Sequence, residues 1–301
     1  MLDLVEKIRN VDFEITSSCN LLCLHCYNKP SKISEELETK DILNVIDQIT
    51  RLGFREIHIN GGEPLENPDV MIILNHCNNN QLETLLETNG ILLDYSNMKE
   101  IANLNHVKIR VSIDGPEEVH NSIRRCRRGK EIENPYLTSL GNLIYAQNIG
   151  IPLQITCSVN NLNYNHLIEM AEYMESRGVR DLRLRLSMPS GRGYIHWQIL
   201  KLDSKKFEEV KMQIDYINNN FSFKFDGKSI LRMIPKLEQK MFITPTGDVK
   251  PYPFIEVYAG NVRNNSLKEI LHNYRDVTFP DEMEKLINNY LSELGMEGTN
   301  G

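Results

Sequence analysis

Three cysteines, Cys19, Cys23 and Cys26, fall within eight residues in the stretch SSCNLLCLHCYNKP. Their spacing is C-x3-C-x2-C, and they are half of the six cysteines in the 301-residue chain. Three thiolates on one loop can hold three corners of an iron–sulfur cubane and leave the fourth iron open to another ligand. A zinc ion completed by His25 or a distant residue is the competing reading, although zinc sites favour C-x2-C pairs and no second pair follows here. Simple packing fits poorly, because three cysteines so close together in a polar loop are unusual.

The cysteines follow directly on a β-rich run, VDFEIT. Six such runs, at 11–16, 54–60, 82–88, 107–113, 153–160 and 182–188, alternate with amphipathic helical stretches. In 39–52, Ile42, Leu43, Ile46 and Ile49 share one face behind Thr39 as the expected N-cap. In 163–177, Leu167, Met170, Ala171 and Met174 form a stripe that stops at Gly178. The alternation predicts βαβ units and a parallel sheet, either an open six-unit barrel or a doubly wound sheet. Both architectures gather functional groups at the C-terminal ends of the strands.

Those ends carry suitable groups. The second run ends in HINGGEP, where Gly61 and Gly62 let backbone approach a ligand and Glu63 can accept from a cationic amine. The third ends in ETNG with Asn89, and the fourth in SIDGP with Ser112 and Asp114. Four successive ends of this kind predict one site across the face.

Composition is that of a soluble globular protein, 41% hydrophobic and 25% charged, and a net charge of −7 argues against nucleic-acid binding. The first ten residues lack the apolar core of a signal peptide, and no apolar run is long enough to span a membrane. A cytoplasmic protein with reduced thiols is expected, in which clustered cysteines bind metal or do chemistry. Beyond Pro189 the pattern changes. SGRGYIHW reads as a glycine-rich loop, 203–218 as a helix with Phe207, Val210, Ile214 and Ile217 at helical spacing, and MFITPTGDVKPYPF as a hairpin. The tail from Ser266 reads as helical with a frayed end.

The order C-x3-C-x2-C-Tyr, GGEP and SIDG along residues 11–190 resembles the radical S-adenosylmethionine (SAM) superfamily. The resemblance implies an α/β fold, a partial (β/α)6 TIM-like barrel over 1–190, with a small C-terminal α+β extension (hairpin plus helix) over 191–301. It implies one [4Fe-4S] cluster on Cys19, Cys23 and Cys26, with SAM chelating the open iron. Reductive cleavage of SAM would give a 5′-deoxyadenosyl radical that abstracts a substrate hydrogen, the electron coming from a flavodoxin or ferredoxin-type reductant. Carried over by position, Gly61, Gly62 and Glu63 would hold the methionine amino group, Ser112 would contact SAM and Tyr27 would lie near the adenine. Arg124 would bind the SAM carboxylate, with Asn89 and Asp114 as further contacts.

PSGRG at 189–193 and the segment 243–270 resemble the subgroup with a SPASM or twitch extension, whose pattern puts cysteine where this chain has Tyr252. No cysteine follows Cys157, so a cluster-free extension is expected. Without an auxiliary cluster, redox-neutral outcomes such as epimerisation need a hydrogen-atom donor. Cys157 and Cys126 are the candidates, although alternation puts Cys157 with the apolar Ile155 and Val159 and favours packing. The basic run Arg124, Arg125, Arg127, Arg128 and Lys130 reads as a solvated loop or as a site for an acidic peptide or a phosphorylated substrate. The leading expectation is modification of a ribosomally made peptide by epimerisation, crosslinking or oxidation. The alternative is a dehydrogenase, epimerase or lyase acting on a sugar or nucleotide. A non-enzymatic iron–sulfur or zinc redox sensor would leave GGEP and SIDG unexplained.

Overall fold

In this computed structural model, residues 8, 10–28, 35–130, 132–225, 240–251, 256–274 and 281–295 are described. Tyr252 lies outside them. The strand–helix alternation runs β1 (Asn10–Glu14), α1 (Thr39–Arg51), β2 (Glu56–Asn60), α2 (Val70–Asn79), β3 (Glu83–Thr88), α3 (Tyr95–Ile101) and β4 (Val107–Ser112). It continues through α4 (Glu117–Ile123), α5 (Pro135–Asn148), β5 (Leu153–Val159), α6 (Leu167–Ser176) and β6 (Asp181–Leu186). Then come α7 (Gly191–Ile195), α8 (Trp197–Leu200), α9 (Ser204–Asn220), β7 (Lys224–Phe225), β8 (Lys240–Ile243), β9 (Asp248–Lys250), β10 (Gly260–Asn261), α10 (Leu267–Asn273) and α11 (Asp281–Glu293).

Strands β1 to β6 pair in chain order, all parallel, which is the open partial barrel; a doubly wound sheet would reverse its order midway. The sheet extends at both ends. β7 pairs parallel with β6, and β8 pairs parallel with β1 before turning into the expected hairpin with β9. The ten-stranded sheet thus crosses the expected boundary at residue 190.

The helices form as their stripes dictate. α1 buries Ile42, Val45, Ile46 and Ile49, each contributing about 1.5–3 kcal/mol by leaving water. Its N-cap is Glu38, not Thr39, whose hydroxyl bonds Asp69 instead. α6 buries the anticipated Leu167, Met170, Ala171 and Met174 but begins four residues later than expected. The side chains of Asn160 and Asn163 explain the delay: Asn163 Oδ1 accepts from the Asn160 amide at 2.8 Å, and its Nδ2 donates to the Asp114 carbonyl at 2.9 Å. The glycine-rich segment after Ser190 is helical, as α7, rather than a loop. Its glycines serve contact: a Cβ on Gly191, whose φ is +53°, would sit 2.0 Å from the Tyr27 carbonyl oxygen.

Along most strands, apolar residues face the helices and polar residues face the barrel lumen; in β3, Thr84 and Thr88 share the face of the core residue Leu86. In β1, Val11 and Phe13 join the hydrophobic core while Asp12 and Glu14 are buried on the other face. The lumen is a charged network built across strands. His58 Nδ1 lies 2.9 Å from Asp12 Oδ1, Lys240 Nζ donates to Asp12 Oδ2 at 3.1 Å, and Glu87 receives both Arg110 and Arg185. Asp12, His58 and Glu87 are close enough to share a metal ion, but their carboxylates already hold cationic side chains, so this is an ion-pair network.

Candidate active site

The cysteine loop leaves β1 and is held from both sides. On one side the Gly62 amide donates to the Thr16 carbonyl at 2.8 Å and the Glu63 amide to the Ser18 carbonyl at 2.7 Å. On the other, Leu22 donates to Arg125 at 2.7 Å, Leu24 to Ile123 at 2.9 Å, and Arg127 to Asn20 at 3.0 Å. Leu21 and Cys126 form the antiparallel bridge between the two segments. From below, the Gly193 amide of α7 donates to the Cys26 carbonyl at 3.0 Å. Ten residues without regular structure are thereby fixed by the elements around them.

Cys23 is buried, and Cys19 and Cys26 are half-buried. Burial first, then the neighbouring thiolates, push Cys19 up to about 12. Burial also raises Cys23, to about 11, against the pull of Arg124. Thiols that repel one another's ionised forms in a dry loop need a cationic group to become ligands. Among the described residues, only the Asp12 trio brings three metal-ligating atoms within 4.8 Å of one another. The three cysteine sulfurs are not such a group, and three thiolates on one loop match the cysteine ligation of an iron–sulfur cluster. His25 is itself drawn into a different set. It lies 3.4 Å from Asp114, and burial lowers it to about 4, so it is neutral at physiological pH.

Asp114 is fully buried and organises the next layer. Its Oδ2 accepts from Arg124 Nε at 2.7 Å and its Oδ1 from the Ser158 amide at 2.8 Å. Burial alone would raise its pKa, but Arg124 first, together with His25, His120 and the Ser158 amide, outweighs that and holds it below the usual carboxylate value. Arg124 Nη1 also points to Cys23 Sγ at 3.8 Å. In this arrangement Arg124 is a clamp between Asp114 and the cysteine loop, a job its place in a basic run did not suggest.

Glu63 is buried at the end of β2 and accepts from Thr88 Oγ1 at 2.6 Å and from the amides of Asn89 and Leu65 at 2.7 and 3.3 Å. Burial nonetheless pushes it up to about 7. Asn89 donates to Asn20 Oδ1 at 2.7 Å, joining the β3 end to the cysteine loop. Ser112 closes β4, half-buried and in register with Thr156. Tyr27 donates its hydroxyl to Glu14 at 3.0 Å and sets its ring edge-on to Phe242 at 6.2 Å, tying β1 to the hairpin.

The two cysteine donor candidates separate. Cys157 has no exposed surface, lies in the core with Ile155 and Val159, and receives Asn163 Nδ2 at 3.6 Å; packing is the role it visibly has. Cys126 is half-buried on the strand segment beside the cysteine loop.

Several side chains outside the motifs carry unpartnered polar atoms. Asn60 Oδ1, Ser187 Oγ, Arg192 Nε, His25 Nδ1 and Asn20 Nδ2 are buried without a partner among the described residues. Buried polar atoms ordinarily find a partner in protein, water or a bound molecule. Their set of donors and acceptors at the strand ends fits a bound molecule rich in hydroxyl, amine and carboxylate groups. Period-two alternation marks Asn60 and Ser187 as lumen-facing.

Comparison with known proteins agrees with this geometry. The chain is 24% identical to the AdoMet-dependent heme synthase of Methanosarcina barkeri, over 94% of this chain and 88% of that protein. It is 26% identical to the mycofactocin maturase MftC of Mycobacterium tuberculosis, over 83% of this chain and 66% of the maturase. Streptococcus suis SuiB bound to S-adenosylmethionine shares the fold with a TM-score of 0.71 at 18% identity, over 98% of this chain and 69% of SuiB. SuiB bound to its precursor peptide SuiA gives a TM-score of 0.70 at 16% identity, over 93% and 66%. Residues 13–174, which hold the cysteine loop, the Gly-Gly-Glu turn and the Asp114–Arg124 pair, match the family described as Radical SAM superfamily, and the chain is an enzyme of that family.

Proposed function

We propose that this enzyme binds one [4Fe-4S] cluster on Cys19, Cys23 and Cys26 and SAM across the strand-end face, and modifies a peptide made by the ribosome, by epimerisation, crosslinking or oxidation. When bound, cluster and SAM supply a 5′-deoxyadenosyl radical that removes a substrate hydrogen. The observation that carries the cofactor reading is the double strapping of the cysteine loop, to the Gly62–Glu63 turn and to residues 123–127. It fixes three thiols, a buried carboxylate and a buried guanidinium within one small volume. Glu63 would receive the SAM amino group. Asn60, Ser112, Ser187 and Arg192 would meet its remaining polar groups, with Asn89 and Tyr27 bracing the walls. Arg124 and Asp114 would set the loop and oppose the negative charge on the sulfurs. Residues 191–301 form the proposed extension, joined to the barrel through β7 and β8. Cys126, with exposed surface, is the better placed of the two candidates to return a hydrogen atom in an epimerisation.

The peptide reading draws on the maturase and the SuiA-bound SuiB among the relatives. A second reading, a small-molecule substrate, is favoured by the heme synthase, which aligns over nearly the whole of this chain. Anaerobic reconstitution with iron, sulfide, SAM and dithionite tests the shared core: four irons per chain and formation of 5′-deoxyadenosine are expected, and the absence of both with any reductant would end the proposal. An acidic reductant of flavodoxin or ferredoxin type should replace dithionite.

Glu63 makes the affinity for SAM depend on pH. With its carboxyl pushed up to about 7 by burial, the free protein holds a proton there that a cationic amine must displace. Affinity should therefore rise by up to about tenfold per pH unit below 7 and level off above it. Glu63→Gln should bind weakly with a flat profile. Titration of reconstituted protein with SAM between pH 5.5 and 8.5 reads this directly, and an unchanged slope in the variant would remove Glu63 from the site.

A further inference from the structure

Among the described residues, Arg183 is the lumen arginine that no carboxylate holds, and Glu14 accepts only from Tyr27 and Asn28. Glu87 takes Arg110 and Arg185, and Asp12 takes Lys240 and His58. Arg183 lies on β6, on the same face as Arg185, because Leu182, Leu184 and Leu186 alternate into the core. Its Nε is buried without a partner among the described residues, while the side chain as a whole stays half-buried and so open to a ligand. The nearest acid along the strand, Asp181, accepts from Gln154 at 2.6 Å. Arg183 is in register with Thr156, whose hydroxyl is also buried and unpartnered, and Thr156 is in register with Ser112 at the end of β4. A guanidinium and two hydroxyls thus line one row across the lumen.

We propose that Arg183, with Thr156, binds a carboxylate of the substrate. A planar carboxylate matches the guanidinium fork and leaves an oxygen for the hydroxyl, which a single strongly hydrated lysine would not do as well. The surroundings agree: burial first, then Arg185 and Arg110, lower Arg183 to about 10 against the pull of Glu87 and Asp12, and a bound anion would offset the cost of burying the charge. The row begins at Ser112, so a substrate carboxylate held at Arg183 lies alongside the strand-end face. The inference deepens the reading of that face as the substrate site and rests on it. It restricts the substrate to one carrying an acidic side chain, a free C-terminus or a small-molecule carboxylate.

Calorimetry on the reconstituted, SAM-bound protein provides the test, with four probes: N-acetyl-glycyl-glutamyl-glycinamide, its glutaminyl counterpart, glutarate, and inorganic phosphate. The glutamyl peptide or glutarate should bind at least tenfold tighter than the glutaminyl peptide, and whichever of the two binds tells a peptide source from a small acid. Arg183→Gln should lose at least tenfold of that affinity, with Arg183→Lys between. In ligand-free protein, Arg183→Gln should melt at the same temperature or higher, since it removes a half-buried charge that no carboxylate holds. Equal probe binding by wild type and Arg183→Gln, binding of phosphate alone, or a variant that melts several degrees lower would overturn the assignment. Formation of 5′-deoxyadenosine by the wild type reports separately on the reading beneath it. If that fails while carboxylate binding still needs Arg183, the anion site stands and the radical reading falls.

Discussion

Replacing Gly62 by alanine should empty the cysteine loop of iron. A Cβ at this position would lie 2.2 Å from the Ser18 carbonyl oxygen and 2.6 Å from that of Ser17. Both are backbone atoms of the segment that leads into Cys19, so no side chain can swing aside. Either the Gly-Gly turn or the cysteine loop must move, and the two are joined by the Gly62–Thr16 and Glu63–Ser18 hydrogen bonds. A displacement of about 1 Å at a site of this kind costs on the order of a hundredfold in rate. We expect less than half the wild-type iron per chain and a loss of 5′-deoxyadenosine formation on the order of a hundredfold, with the far-ultraviolet circular dichroism unchanged. Gly141→Ala is the matched control. Nothing lies within 4 Å of its Cβ, and it sits inside α5, where alanine should add about 0.5–1 kcal/mol of stability. Full iron content in Gly62→Ala would mean that the close approach has no part in holding the loop.

How much of this was legible in the chain depends on how local each feature is. The C-x3-C-x2-C loop, the Gly-Gly-Glu turn and the Ser-Ile-Asp-Gly end are each written in a few adjacent residues, so motif reading found them along with the strands that carry them. The parallel order of β1 to β6 followed from alternation with helices. The charged lumen did not, because Asp12, His58, Glu87, Arg110, Arg185 and Lys240 come from six strands, and each looks like an ordinary alternating polar residue in its own strand. Their meeting is a property of register. The attachment of the hairpin to β1 was hidden for the same reason: β8 pairs in parallel with a strand more than two hundred residues earlier. The glycines of SGRG misled in a more instructive way. Glycine was read as a sign of irregular chain, whereas here it permits a helix to press against the Tyr27 and His25 carbonyls. The same absence of a side chain serves a turn or a contact, and the sequence does not say which.

Breaking the Asp114–Arg124 pair should do more damage than its distance from solvent chemistry suggests. Both groups are buried, and removing one partner from a buried ion pair costs about 3–5 kcal/mol, a large share of the roughly 5–15 kcal/mol that holds a domain folded. Arg124→Met strands Asp114, which still accepts from the Ser158 amide but has lost its main counter-charge. Asp114→Asn strands Arg124 beside Cys23. The two should therefore destabilise to a similar extent in urea, and the double variant should lose less than the sum, since no unpaired charge remains in it. They should differ in iron. Only Arg124→Met removes the positive charge facing Cys23 Sγ, so it should lose more cluster than Asp114→Asn at equal stability. The pH profile carries the same signature. Because Arg124 holds Asp114 below its ordinary pKa, the pair's stabilisation is complete above about pH 4 and fades as pH falls through the lowered value. Acid unfolding of Arg124→Met should begin at higher pH than in the wild type. Single variants that each cost under about 1 kcal/mol would mean that water, not Arg124, answers the charge on Asp114.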